Sequence, residues 1–216
     1  MKNVLNLIIF IALFLTSCDK NEVYLVQKVV LTFDDAPNSP ENTSKILDVL
    51  KNHDTRATFF CIGESLRLYP ELANRIASEQ YMANHTYSHL NVAEFNLPDI
   101  YESEIQKTQD IIDSLQPVNH LYFRPPYGSI TTGQKEFLKK KGFDVIMWDM
   151  SAEEWNDKVT TQQVLNYFHG NLFTAAKIPV ILFHLNKSTY EALDIILTEF
   201  EEMGIEAISL DEFRNR

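Results

Sequence analysis

The sequence predicts one α/β domain, a barrel of parallel strands with helices outside, and three observations carry that prediction. Short runs rich in Val, Ile and Phe alternate with longer segments of helical periodicity, the pattern of successive βα units. The 216 residues are 45% hydrophobic, enough apolar material for one sizeable core and no need of a second. Chemistry-bearing residues stand where the strands end: Asp34 and Asp35 after the first, His85 the third, Arg124 the fourth, Trp148 the fifth and His184 the sixth. An active site at the carboxyl ends of barrel strands needs that placement.

The first residues are set apart. Lys2 and the apolar stretch Leu5 to Leu15 form an export signal, too short for a membrane span of roughly 20 apolar residues. Leu15-Thr16-Ser17-Cys18 resembles a bacterial lipoprotein signal, so residues 1–17 are expected to be removed and Cys18 lipidated. Residues 18–27 then tether the domain, residues 28–216, to a periplasmic or cell-surface membrane face. A plain secretory signal is the alternative. Acylation of Cys18 leaves Cys61 without a disulfide partner, and its apolar run Ala57-Thr58-Phe59-Phe60 reads it as a small buried hydrophobe.

Seven strands are predicted, around Val26 to Phe33, Ala57 to Ile62, Tyr81 to Ala83, Leu121 to Phe123, Val145 to Trp148, Val180 to Phe183 and Glu206 to Ile208. Helices are predicted over Asn42 to Lys51, Tyr69 to Ser78, Pro98 to Leu115, Thr132 to Lys141, Thr160 to Phe168 and Thr189 to Met203, the third with an apolar face of Ile100, Ile105, Thr108, Ile111, Ile112 and Leu115. The net charge of -11 and the lack of a basic run beyond Lys139-Lys140-Lys141 exclude a nucleic-acid partner, because phosphate contacts need clustered cations. Those three lysines fit the last turn of a helix, where the dipole favours them.

Thr32-Phe33-Asp34-Asp35-Ala36-Pro37 and His85-Thr86-Tyr87-Ser88-His89 together supply one carboxylate and two imidazoles for a divalent metal and leave a second carboxylate as base. H-x-x-x-H alone is weak, and either aspartate alone suits an Asx turn ahead of Pro37; the combination describes a catalytic metal site with an open position. If the strand persists through both aspartates, they alternate in direction, one toward metal and one toward water. Phe123-Arg124-Pro125-Pro126-Tyr127-Gly128 is a rigid turn able to aim a backbone N–H at an oxyanion, with Arg124 pairing a carboxylate; a loop with a surface arginine is the plain alternative. His184, ending Val180-Ile181-Leu182-Phe183, is a candidate general acid or a core histidine with a backbone partner.

The ordered set Thr-Phe-Asp-Asp-Ala-Pro, His-Thr-Tyr-Ser-His, Arg-Pro-Pro-Tyr-Gly, Ser-Ala-Glu-Glu-Trp and Leu-Phe-His resembles the polysaccharide deacetylases of the NodB-homology type, carbohydrate esterase family 4, over about Lys28 to Phe213. The resemblance implies a distorted (β/α)7–8, TIM-like barrel and metal-dependent removal of acetyl groups from sugars. It implies Asp35, His85 and His89 as metal ligands, Asp34 as base, Arg124 orienting Asp34, the Tyr127 N–H at the oxyanion, and His184 as acid tuned by Glu154. Pro126, Tyr127 and Trp155 are candidate substrate contacts, with Tyr87 and Trp148 further candidates for stacking on sugars. Zinc is the expected ion, and cobalt or manganese suits the same ligands. The expected partner is an acetylated glycan, most simply one containing N-acetylglucosamine; an O-acetyl xylan-type esterase and a catalytically impaired, lipid-anchored glycan-binding protein are the alternatives.

The chain departs from the family pattern at three places. Ala36 and Ala83 stand for glycines, and Ser151-Ala152-Glu153-Glu154-Trp155 stands for Asp-x-x-Asp-Trp. Glu154 is one methylene longer than the aspartate it replaces, and Asp149 is an alternative partner for His184.

Overall fold

The computed structural model describes residues 26–117, 119–156, 158–174 and 177–215. The export signal, Cys18 and the tether up to residue 25 lie outside them. Among the described residues no helix is long and apolar enough to cross a membrane.

All strand pairings are parallel, in the order β5-β4-β3-β2-β1-β7-β6, with β8 on the lower end of β1. The strands are β1 Lys28–Ala36, β2 Thr58–Cys61, β3 Tyr81–Asn84, β4 Leu121–Phe123, β5 Phe143–Val145, β6 Met150–Ser151, β7 Val180–His184 and β8 Glu206–Ala207. No ladder joins β5 to β6 among the described residues, so the expected barrel is a curled sheet, open at that seam. Central β1 is buried from Val29 to Asp34, as a continuous apolar run in a doubly covered sheet must be. Phe33 stacks on Phe59 of β2 and Phe183 of β7, at ring centroids of 4.9 and 5.4 Å.

Local chemistry starts and stops the outer helices. Ser39 caps Pro40–Asn52 by accepting from Asn42 N, with Pro40 in the first turn. Thr131 with Gln134 and Thr160 with Gln163 form capping boxes at Thr132–Lys140 and Thr161–Asn171. Asn186 caps Lys187–Met203, which ends at Gly204 with φ 69°.

Three expectations need correction. The fifth strand ends at Val145, before Trp148, because residues 146–149 cross the open seam, and β6 beyond it was not anticipated. Short helices at Gly63–Leu68 and Leu210–Arg214 also escaped notice, being too brief for periodicity to register. The helix predicted over Pro98 to Leu115 is three pieces: Leu97–Ile100, a π-helical turn Tyr101–Gln106, and Lys107–Leu115. Its apolar face carries the cause, since Ile100 and Ile105 are five apart where an α-helix would repeat at three or four.

Candidate active site

The upper ends of β1, β3, β4 and β7 meet at a cavity of about 620 Å³ lined by Asp34, Asp35, His85, His89, Tyr127 and His184, among others. Alternation along β1 does not separate the two aspartates. The pairing of β1 with β2 slips between Phe33 and Ala36, and Asp35 adopts φ 62°, so both carboxylates reach the same cavity. A bulge at a strand end re-aims a side chain in this way.

Asp34 is buried and Arg124 fully so. Arg124 Nη1 donates to Asp34 Oδ1 at 2.6 Å and to Thr32 Oγ1 at 2.9 Å, while Nε and Nη2 donate to the carbonyls of Ile146 and Met147. The three nitrogens of one buried planar cation thus make four hydrogen bonds, one of them to the Asp34 carboxylate, so Arg124 is not a surface arginine. The Arg124 guanidinium also lies 4.0 Å from the Phe60 ring centroid.

Asp35 Oδ1 lies 3.1 Å from His89 Nε2 and 3.5 Å from His85 Nε2. One potential ligand atom from each of the three residues lies within 4.8 Å of the others. Burial pushes the Asp35 carboxyl upward in pKa, but His85 and His89 more than offset it and hold it well below the usual carboxylate range. His85 Nδ1 sits 2.7 Å from the Arg124 carbonyl, which assigns the proton to Nδ1 and leaves the Nε2 lone pair for a ligand role. Asp35 Oδ1 is buried without a hydrogen-bond partner, an orphan that a cation would satisfy. Two imidazoles and a carboxylate converging on one point fit a divalent ion of the zinc type.

The histidines come from a compact loop rather than a helix. Thr86 and His89 take φ of 65° and 60°, and Tyr127 and Glu153 are also left-handed. Such residues cost of order 1–3 kcal/mol each and persist only where surrounding bonds hold them. Asn84 supplies one bond here: its Oδ1 accepts from Thr86 N while its Nδ2 donates to the Ile105 carbonyl.

At the end of β7, next to β1, Glu154 Oε1 accepts from His184 N at 2.6 Å and lies 3.3 Å from His184 Nδ1. The longer glutamate therefore reaches the histidine. Asp149 does not, because its Oδ2 accepts from Val180 N. Burial pushes the His184 pKa down, but the Glu154 hydrogen bond and charge, with Asp34 and Asp35 behind them, leave it above the ordinary imidazole value. Glu154 Oε2 is buried without a partner.

Tyr127 is 71% exposed and its ring stands edge-on to His89 at 4.8 Å; Trp155 is 60% exposed. Both line the cavity, as do Trp148, Ser151, Glu153 and Tyr167. Gly128, at φ 65°, lies so close to Trp148 that a Cβ there would stand 2.8 Å from Cη2. Pro126 is buried and lies outside the lining. Tyr87 also lies outside the lining, its ring covered by Lys107 Nζ at 3.3 Å from the centroid. Cys61 is buried and free, and burial pushes its thiol far up, leaving it inert.

Residues 25–146 match the polysaccharide deacetylase family. A peptidoglycan-N-acetylglucosamine deacetylase of Bacillus cereus is 36% identical over 193 residues, 87% of this chain and 68% of that protein. The peptidoglycan-N-acetylmuramic acid deacetylase PdaC of Bacillus subtilis is 32% identical over 192 residues, and this chain spans only 38% of its length. Among solved structures, a peptidoglycan N-acetylglucosamine deacetylase in complex with 4-naphthalen-1-yl-N-oxidanyl-benzamide superposes with a TM-score of 0.79 at 35% identity, covering 88% of each chain. A family 4 pseudoenzyme from Bacillus anthracis superposes at 0.78 with 27% identity, covering 88% of this chain and 66% of its own.

Proposed function

Because the chain belongs to the polysaccharide deacetylase family, we propose that it hydrolyses N-acetyl groups of an N-acetylglucosamine-containing glycan of the peptidoglycan or chitin type. One observation carries this reading: a buried Asp34–Arg124 pair, an Asp35–His85–His89 cluster and a His184–Glu154 pair open on the same cavity.

Asp35, His85 and His89 would hold the ion, which when bound polarises an acetyl carbonyl and acidifies water. Asp34, aimed by Arg124, takes the proton from the attacking water. The acetyl carbon gains hydroxide and its C–N bond breaks. An amine is a poor leaving group unless protonated, and His184 supplies that proton from the nitrogen opposite Glu154. The products are acetate and a free amine. A retained acid matters more for an amide than for an ester, which favours N- over O-deacetylation. The Tyr127 N–H shares the oxyanion charge, and exposed Tyr127 and Trp155 stack on sugar faces. The sequence supports delivery to the membrane through lipidated Cys18, testable by labelling with a fatty-acid analogue in wild type and Cys18→Ala.

Acetate release from N-acetylglucosamine oligomers, peptidoglycan and acetylated xylan, with zinc supplied and after chelation, tests the reading. Metal-dependent release from the first two supports it. Release from xylan alone indicates an esterase. Zinc binding with no release from any substrate indicates a glycan-binding protein, the reading that Ser151 and the resemblance to a pseudoenzyme favour.

A further inference from the structure

The bonds around the left-handed loop between the two histidines converge on one carboxylate from a separate element. Glu104, in the π-helical turn Tyr101–Gln106, accepts at Oε2 from Tyr87 N at 3.1 Å and from Ser88 N at 2.9 Å. It also accepts from the Ser88 hydroxyl, at 3.0 Å on Oε1 and 3.1 Å on Oε2. Every one of these donors lies between His85 and His89. The Glu104 carbonyl is itself fixed, accepting from Thr108 Oγ1 at 2.9 Å. The next residue serves the same loop from its front end, since the Ile105 carbonyl receives Asn84 Nδ2, and Asn84 Oδ1 receives Thr86 N.

Space is short on the other side. A Cβ on Gly63 would stand 2.7 Å from Tyr87 Cδ2 and 2.5 Å from Thr108 Oγ1, and Gly63 N and Glu64 N donate to the carbonyls of Thr86 and Tyr87. The loop is therefore pressed between the Gly63 helix and the π turn, with Glu104 as the acceptor for the donors facing that turn.

We infer that Glu104 is a positioning residue for the metal site: it holds Tyr87 and Ser88, between left-handed Thr86 and His89, in the path that brings His89 Nε2 to Asp35. This rests on the reading of Asp35, His85 and His89 as ligands. Outer groups of this kind set ligand orientation, and their loss typically weakens metal affinity about 10–100-fold. Without Glu104 the Tyr87 and Ser88 amides lose their acceptor, and Asn84 and the Gly63 helix alone are left to oppose relaxation of Thr86 and His89 toward right-handed backbone.

The test is calorimetric titration of the metal-free full chain with Zn²⁺ alone, for wild type, Glu104→Ala and Glu104→Gln, with thermal unfolding of each metal-free protein alongside. Glu104→Ala is expected to bind zinc about 10–100-fold more weakly with an unfolding midpoint close to wild type. Glu104→Gln, which keeps one acceptor oxygen, falls between. Activity lost at equimolar zinc should return at excess zinc with KM unchanged, a pattern that general loosening of the fold would not give. Zinc affinity of Glu104→Ala within about twofold of wild type overturns the inference. If Glu104→Ala does not fold, wild-type affinity in Glu104→Gln overturns it instead. A wild-type chain that binds no zinc overturns the ligand reading and this inference together.

Discussion

Asp34, Asp35, His85 and His89 are held from the sheet side, by Arg124, itself fixed through four hydrogen bonds, beside Asp34 and by Asn84 and Glu104 around the histidine loop. Glu154, the partner of His184 at the end of β7, comes instead from a loop after a two-residue strand: Ser151 N donates to Tyr167, Asn186 Nδ2 to the Glu154 carbonyl, and Glu154 Oε2 has no partner. The difference teaches where this chain tolerates change. Its departures on the braced wall are single methyl groups, Ala36 and Ala83, whereas on the loosely held wall a glutamate replaces an aspartate and still reaches the histidine.

The largest effect is expected from Arg124→Met. It strands the buried Asp34 carboxylate, and breaking a buried pair by removing one partner typically costs about 3–5 kcal/mol. Urea unfolding should show that loss, together with near-complete loss of acetate release; a midpoint within experimental error of wild type would mean that Asp34 finds water or another donor. Removing the metal comes next. A ligand at 100 times its Kd stabilises by about 2.7 kcal/mol, so chelation should lower the melting point by that equivalent in wild type and by much less in His89→Ala.

Glu154→Gln probes the other wall and should lower kcat by about 100-fold, the lower end of what a general acid contributes. The sign on pH follows from the raised His184 pKa. An acid works only while protonated, so activity falls as pH rises through that pKa; removing the Glu154 charge leaves burial to push the pKa down, and the alkaline limb moves to lower pH. A limb that stays put would remove Glu154 from the proton path. The smallest effect is expected outside both walls, at His53, which bridges Asp194 and Glu201 on the far helix. Burial lowers its pKa, but the two acids raise it overall, so its contribution is present below about pH 6.5 and is lost as pH rises through the raised value. His53→Gln should cost less than about 1 kcal/mol at pH 6, less still in high salt, and leave kcat unchanged.

The braced wall was also the more legible in the sequence. Asp34, Asp35, His85 and Arg124 stand beside apolar runs whose composition already marks them as strands, so their meeting at one end of the sheet followed from topology. The bulge at Asp35 was not readable, because alternation assumes a regular strand and nothing in Phe33-Asp34-Asp35-Ala36 announces a left-handed aspartate. Glu104 escaped because its role depends on a contact with the loop at 87–88, across intervening chain that periodicity does not describe. The trace it did leave is the five-residue step from Ile100 to Ile105. Glu154 was readable as a position but not as a reach, which only the register of β6 on β7 decides.

The most direct measurement is acetate release by Asp34→Asn against wild type, on an N-acetylglucosamine oligomer, with bound zinc quantified in both. Asparagine keeps the shape beside Arg124 but cannot take a proton, so the rate should fall by about 10²–10⁴-fold while the zinc content stays the same. A rate near wild type at equal zinc would contradict the assignment of Asp34 as base and with it the division of the cavity into a base wall and an acid wall.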